Sequence, residues 1–174
     1  MTVQRLIRDA TPADAVAVAA IYAPQVLQGT ATFEMVAPTA GEMRARMAAV
    51  QDGGGVWLVL EIADAVVGYA YCRQFHDRPG YRYAAESTVY LASALHRRGH
   101  GRALLDALIE AAIAKGFRQL IAVIGDSANA ASIGLHSAVG FRHVGTMTRI
   151  GRKFGRWFDV VYMQCGIGAG AEQP

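Results

Sequence analysis

The chain lacks the features that would commit it to several large classes of protein. It has only two cysteines, Cys72 and Cys165, in 174 residues. Both lie in alternating apolar runs and read as buried, reduced thiols rather than a disulfide or a metal pair. No apolar run reaches the roughly 20 residues needed to span a bilayer. The opening MTVQRLIRDATPAD has no basic-then-apolar signal segment. No membrane partner is expected, and the cytoplasm is the expected compartment. Net charge is only +3, with no broad basic stripe, zinc-finger spacing or aromatic RNA-binding signature, so nucleic acid is not an expected partner. Gly-Lys-Ser and Gly-Lys-Thr are absent, which argues against a P-loop nucleotidase. Gly125-Asp126-Ser127 lacks the glycine that would complete a nucleophile elbow. His96 and His100 stand four apart, but glycines break the segment and no carboxylate completes a set, so no metal is expected.

What is present suits one soluble domain. The composition is 53% hydrophobic, ample for a core at this length. A single domain over 1–174 is expected, ordered over about 3–165, with a Gly-rich tail over 166–174 that offers little to bury. Val3–Arg8 alternates like a strand. Thr11-Pro12 and Asp14 mark the start of a helix over Ala13–Leu27, and Thr39 with Glu42 forms a capping box before a helix near Glu42–Val50. Trp57–Ile62 and Val66–Arg73 read as a hairpin turning at Ala63-Asp64-Ala65, and Phe75–Tyr83 as a loop. Ala85–Leu91 is a strand, Gly99–Lys115 a helix, Gln119–Ile124 a strand and Asn129–Val139 a short helix. Phe141–Ile150 and Phe158–Cys165 close the chain as strands around a loop at Gly151–Trp157. The expected fold class is mixed α/β, a central mixed sheet flanked by helices.

The chemistry concentrates in Glu86–Ala112. A strand leads through a short turn into Arg97-Arg98-Gly99-His100-Gly101-Arg102-Ala103, which opens an amphipathic helix. Such a loop aims successive backbone N–H groups at one point, at the positive end of the helix dipole. Glycine lets a phosphate approach closely, and Arg97, Arg98 and Arg102 add charge-assisted bonds. The pattern suits a pyrophosphate, although a plain turn also explains a lone Gly-x-Gly. A dinucleotide fingerprint needs a third glycine at 104, where Leu104 stands.

Arg98-Gly99-His100-Gly101-Arg102-Ala103-Leu104-Leu105, with Asn129–His136 and Gly140-Phe141 downstream, resembles the acetyl-CoA loop and following helix of the GCN5-related N-acetyltransferase superfamily. Glu86–Tyr90, Ser132–His136 and Lys153–Trp157 make the chain similar to the phosphinothricin and methionine sulfoximine acetyltransferases within it. One position departs: His96 stands where the superfamily carries Gln or Arg. The resemblance implies the acyl-CoA N-acyltransferase fold, acetyl-CoA as co-substrate, a small-molecule amine acceptor, a homodimer and a detoxifying role. It further implies that the backbone of Val89, Tyr90 and Leu91 meets the pantetheine arm, with Asn129 and Ser132 nearby. Asn129 equally fits an N-cap, and Ser132 an ordinary helix residue.

Amine acetylation needs an unprotonated amine, close approach to the thioester and stabilisation of developing negative charge. Glu86 is the candidate base, a carboxylate on an otherwise apolar strand. A structural pair with Arg82 is its alternative role. His136 stands where many relatives carry a proton-donating tyrosine, and it equally suits a helix core. For the acceptor, His76, Arg78 and Arg82, with Arg73, gather cations beside Glu86 and suit an anionic substrate. Phe33, with Glu34 beside it, is expected to wall the pocket, and Ser87 and Thr88 to face the substrate next to Glu86. The expected acceptors are L-phosphinothricin, methionine sulfoximine and methionine sulfone. Another amine (a protein N-terminus, a polyamine or an aminoglycoside) and a non-catalytic acetyl-CoA sensor are the alternatives.

Overall fold

The first helix begins where Pro12 opens a single 3-10 turn, Pro12–Asp14, and continues as α1 (Ala15–Leu27). The second, α2 (Ala40–Asp52), starts at a complete capping box: Thr39 Oγ1 accepts from the Glu42 N–H, and the Glu42 carboxylate accepts from the Thr39 N–H at 2.7 Å. Strand β1 (Arg5–Asp9) precedes them, and β2 (Val56–Ile62) and β3 (Ala65–Gln74) follow as a hairpin. Its two-residue turn, Ala63-Asp64, has φ of 50° and 62°, the left-handed pair that matches the twist of adjoining strands. The chain then gives β4 (Ala84–Leu91), α3 (His100–Ala114), β5 (Gln119–Gly125), α4 (Ala130–Ala138), β6 (Arg142–Lys153) and β7 (Arg156–Gly166). This computed structural model describes residues 5–171, so Val3 and Gln4 of the expected first strand lie outside the described residues.

All seven strands join one sheet in the order β1-β2-β3-β4-β5-β7-β6, and β4–β5 is its one parallel pair among the described residues. Strand alternation sorts side chains onto two faces. Leu58, Leu60, Ala70, Cys72 and Ala85 pack against Leu104, Leu105 and Leu108 of α3. Trp57, Val59 and Tyr69 pack against Val18, Tyr22 and Val26 of α1 and Met43 and Met47 of α2. Cys72 is buried, Cys165 is half-buried, and both are free thiols.

Two expectations are corrected. The closing strands run on through most of the expected Gly151–Trp157 loop and turn over only Phe154-Gly155, whose φ of 50° and 73° again form a two-residue hairpin turn. The tail is anchored at Ile167, which is buried and whose N–H bonds the Arg118 carbonyl at 2.9 Å, while Gly168, Ala169 and Ala171 around it are exposed. The last three tail residues, 172–174, lie outside the described residues.

An ion cluster fixes β1 to both its neighbours. Arg8 donates in parallel to both Asp14 oxygens at 2.8 Å and also bonds Glu61 on β2. The Arg8 guanidinium pulls the Asp14 carboxyl down from 3.8 to about 2. Because the folded value is the depressed one, the stabilisation is whole above 3.8 and fades as pH falls toward about 2. We expect Asp14→Asn to lose at most about 2 kcal/mol of stability at neutral pH, and to flatten the acid limb that denaturant titrations show for the parent chain. An unchanged acid limb would remove the cluster from the account.

Candidate active site

The site is built where the sheet opens. Strands β4 and β5 pair from Ala84↔Gln119 to Ser87↔Ala122 and no further. β4 stays with β3 as far as Gly68↔Leu91, and β5 stays with β7 as far as Gly125↔Val160. The strands therefore part, leaving Thr88–Leu91 with one backbone edge free in mid-sheet. Unpaired backbone at such a place calls for an outside partner.

The Gly-rich loop lies at the end of this opening. Arg97 and Gly99 both take left-handed backbone, φ 61° and 77°. A glycine is free to do so, whereas Arg97 is strained. The first backbone bond of α3 closes from the Ala103 N–H to the Gly99 carbonyl, so the N–H groups of His100, Gly101 and Arg102 have no intrahelical acceptor. They point from the start of the helix with Arg97, Arg98 and Arg102 exposed around them, whereas the N–H of Ala103, expected beside them, is spent on the Gly99 carbonyl. Arg102 also approaches Asp106 at 3.6 Å. A Cβ on Gly101 would press on Leu91 and Leu135, so its bare backbone lets α3, α4 and the end of β4 close up. His96 explains its own departure from the superfamily pattern: its Nε2 lies 3.3 Å from the Leu91 carbonyl and ties the loop to the strand end.

On α4, Asn129 Oδ1 accepts from the Ser132 N–H at 3.2 Å, realising the N-cap role and leaving its amide NH2 available. His136 is 3% exposed, edge-on to Phe141. Its Nδ1 lies 2.8 Å from the Ser132 carbonyl, which can only accept, so Nδ1 carries the hydrogen. Nε2 is then a bare lone pair, buried without a partner among the described residues. Burial lowers the ring's pKa and keeps it neutral. A proton-donating His136 must first gain a proton at Nε2.

On the α1/α2 face a cavity of about 1000 Å³ opens against the same parting. Glu86, Thr88 and Tyr90 line it, with Tyr69, Tyr71 and Arg73 beside them. Arg73 is the direct cross-strand partner of Glu86. No ion pair joins them within 4 Å among the described residues, and Glu86 has no hydrogen-bond partner there, so carboxylate and guanidinium stand side by side uncommitted. The alternative Glu86–Arg82 pair is not formed, because the Arg82 guanidinium lies 4.3 Å over the Tyr83 ring. Phe33, Glu34, Arg46 and Tyr22 close the opposite wall. Arg46 grips both Glu34 oxygens at 2.7 and 3.0 Å, and the Tyr22 hydroxyl donates to Glu34 at 2.9 Å. The Arg46 guanidinium holds the Glu34 carboxyl below its ordinary value.

Of the expected substrate residues, Phe33, His76, Glu86 and Thr88 line the cavity, and Arg78, Arg82 and Ser87 do not. Ser87 falls on the other pleat and turns to the Ile121 carbonyl at 3.3 Å. Arg78 and Arg82 flank the exposed turn Pro79–Tyr81. Sequence reasoning missed Tyr22, Arg46, Tyr69 and Tyr71; the period-2 rule applied back from Arg73 would have found the last two.

A family model described as an acetyltransferase (GNAT) domain matches residues 7–162. The chain is 46% identical to a phosphinothricin N-acetyltransferase of Alcaligenes faecalis over 95% of this chain and 83% of that one. It is 37% identical to an L-methionine sulfoximine/L-methionine sulfone acetyltransferase of Pseudomonas paraeruginosa over 92% and 94%. A solved GNAT phosphinothricin acetyltransferase from Sinorhizobium meliloti, in complex with acetyl-CoA, superposes with a TM-score of 0.92 at 40% identity, covering 98% of this chain and 92% of that one. Fold, opening and Gly-rich loop, taken with these likenesses, define an acetyl-CoA-dependent N-acetyltransferase of small amines. Within the GNAT superfamily the chain belongs to the phosphinothricin and methionine sulfoximine acetyltransferase family.

The residues present fit acetyl-CoA: unbonded N–H groups at a helix start suit a pyrophosphate, and a free strand edge suits an amide-bearing arm. We expect Gly99→Ala, which forces a Cβ into left-handed backbone at roughly 1–2 kcal/mol, to weaken acetyl-CoA binding about tenfold by calorimetry. Unchanged affinity would place the pyrophosphate elsewhere.

Proposed function

We propose that the protein acetylates the α-amine of an L-amino acid analogue bearing a second anionic or sulfoximine-type group, with L-phosphinothricin, methionine sulfoximine and methionine sulfone as acceptors. The observation that carries this reading is the uncommitted Arg73–Glu86 pair on the cavity face. In it, Arg73 takes the substrate carboxylate in a bidentate fork. Glu86 accepts the proton that an α-ammonium must lose, directly or through one water. His76 and Thr88 offer further polar contacts to the acceptor, and Phe33 with the tyrosines supplies an apolar wall.

Acetyl-CoA supplies an activated acetyl group. The N–H groups of Gly99–Arg102, with the side chains of Arg97, Arg98 and Arg102, bind its pyrophosphate. Backbone groups of Val89–Leu91, the Asn129 amide and Ser132 hold its pantetheine arm in the opening. His136, on α4 at the border of the opening, carries its hydrogen on Nδ1 and can donate a proton to the departing CoA thiolate only after Nε2 has gained one. We further infer a homodimer formed through the β6–β7 edge, where Val144, Met147, Ile150, Phe154 and Trp157 are all at least half exposed.

The test is thiol release from acetyl-CoA against an amine panel that includes the three acceptors. Turnover on them is expected, and Glu86→Gln should lower kcat at neutral pH by about 10²–10⁴-fold while leaving acetyl-CoA affinity intact. Transfer only to unrelated amines would overturn the acceptor assignment, and full kcat in Glu86→Gln would overturn the base.

A further inference from the structure

Lys153, the last residue of β6, is 1% exposed. Its Nζ donates to the carbonyls of Gln25 at 3.2 Å, Gly29 at 2.8 Å and Thr32 at 2.8 Å. An ammonium has three N–H donors and no acceptor, so all three are used. Gln25 belongs to the last turn of α1, the negative end of the helix, where a cation is favoured. A buried charge without partners is costly, and so are buried carbonyls without donors. This one contact satisfies both, across 121 or more positions of sequence.

The segment so held, Gly29–Glu34, carries Thr32, Phe33 and Glu34 into the cavity wall. Two other contacts seat it from the same side of the sheet. Thr30 Oγ1 donates to Asp126 Oδ2 at 2.6 Å, just beyond β5. The Phe33 ring lies flat enough on Gly151 of β6 that any Cβ there would strike it. Apart from the Gly29 N–H, which bonds the Pro24 carbonyl at the end of α1, the segment has no helix or strand bonding of its own among the described residues. Its place is therefore set by its surroundings: the ammonium holds two of its carbonyls, Tyr22 bonds the Thr32 hydroxyl, and Tyr22 and Arg46 bond Glu34.

We propose that Lys153 is the positioning residue of the acceptor wall: it touches no substrate, and it fixes where Thr32, Phe33 and Glu34 meet the amine-bearing molecule. The inference rests on reading the cavity as the acceptor site. Its consequence is selective, because the hydrogen bonds of Lys153 go to Gln25, Gly29 and Thr32 and, among the described residues, none goes to the Gly-rich loop or the free edge of β4.

The experiment compares the parent enzyme with Lys153→Met, which keeps an unbranched side chain one atom shorter and removes the donors. A rise in acceptor KM of about tenfold or more, with acetyl-CoA Kd unchanged, is the expected split. Backbone hydrogen exchange should quicken over 29–34 and stay as before over 97–105. Thr30→Val, which cuts the tether to Asp126 and leaves the buried carbonyls satisfied, should give a smaller split of the same sign. Unchanged acceptor KM and exchange in Lys153→Met, or parallel weakening of both substrates, would overturn the proposal. If Lys153→Met does not fold, Thr30→Val decides by the same two readouts. If the parent enzyme prefers other amines, the acceptor assignment fails and the split is measured with the amine that reacts. If it acetylates no amine, the functional reading fails in the parent enzyme, and the exchange data alone decide the tether.

Discussion

Past Ser87 and Ala122 the two central strands stop sharing hydrogen bonds, and the rest of the molecule is arranged around that gap. Each strand is pulled aside by its other neighbour: β4 keeps its ladder to β3, and β5 its ladder to β7. Backbone polar groups freed in the middle of a sheet must find a partner. Opening the sheet thus creates a binding edge at the point where the helix start of α3 presents its own unbonded N–H groups. The same parting exposes the pleat bearing Glu86 and Thr88 to a cavity on the opposite face. One break in pairing thus brings a free backbone edge and the cavity face together at a single strand.

The cavity's charges are divided. At its far wall Glu34 and Arg46 neutralise each other and Tyr22 completes the network, so that pair acts as structure. Beside the opening, Arg73 and Glu86 are free of partners among the described residues and so are available to a zwitterion. The aromatic lining between them has Trp57 stacked 4.2 Å from Tyr71 and Tyr22 edge-on to Tyr90 at 5.1 Å, and gives the cavity an apolar surface beside that pair.

Local signals carried well from sequence to structure. The Thr39–Glu42 box and the Gly99 loop were legible because each is decided within a few residues. The Glu86–Thr88 strand was legible in position but only half in orientation. Ser87 was placed with its neighbours although strand alternation turns it to the other face. Arg78 and Arg82 lie close to Glu86 in sequence, yet the Pro79–Tyr81 turn holds them outward. Lys153 looked like loop charge, because its three carbonyl partners lie more than a hundred residues earlier and no local pattern announces a buried ammonium. Ile167 was taken for tail because its burial depends on a distant carbonyl, that of Arg118. What the chain spells out nearby is readable; what it completes by folding back is not.

The most direct test of this account is a crystal structure with a bisubstrate analogue, CoA joined through an acetyl bridge to the α-nitrogen of methionine sulfone. The account predicts the pantetheine portion along Val89–Leu91 between β4 and β5, the bridge nitrogen within hydrogen-bond reach of Glu86 or of one intervening water, and the carboxylate on Arg73. A pantetheine arm lying outside the opening, or an amino acid portion outside the cavity, would contradict it.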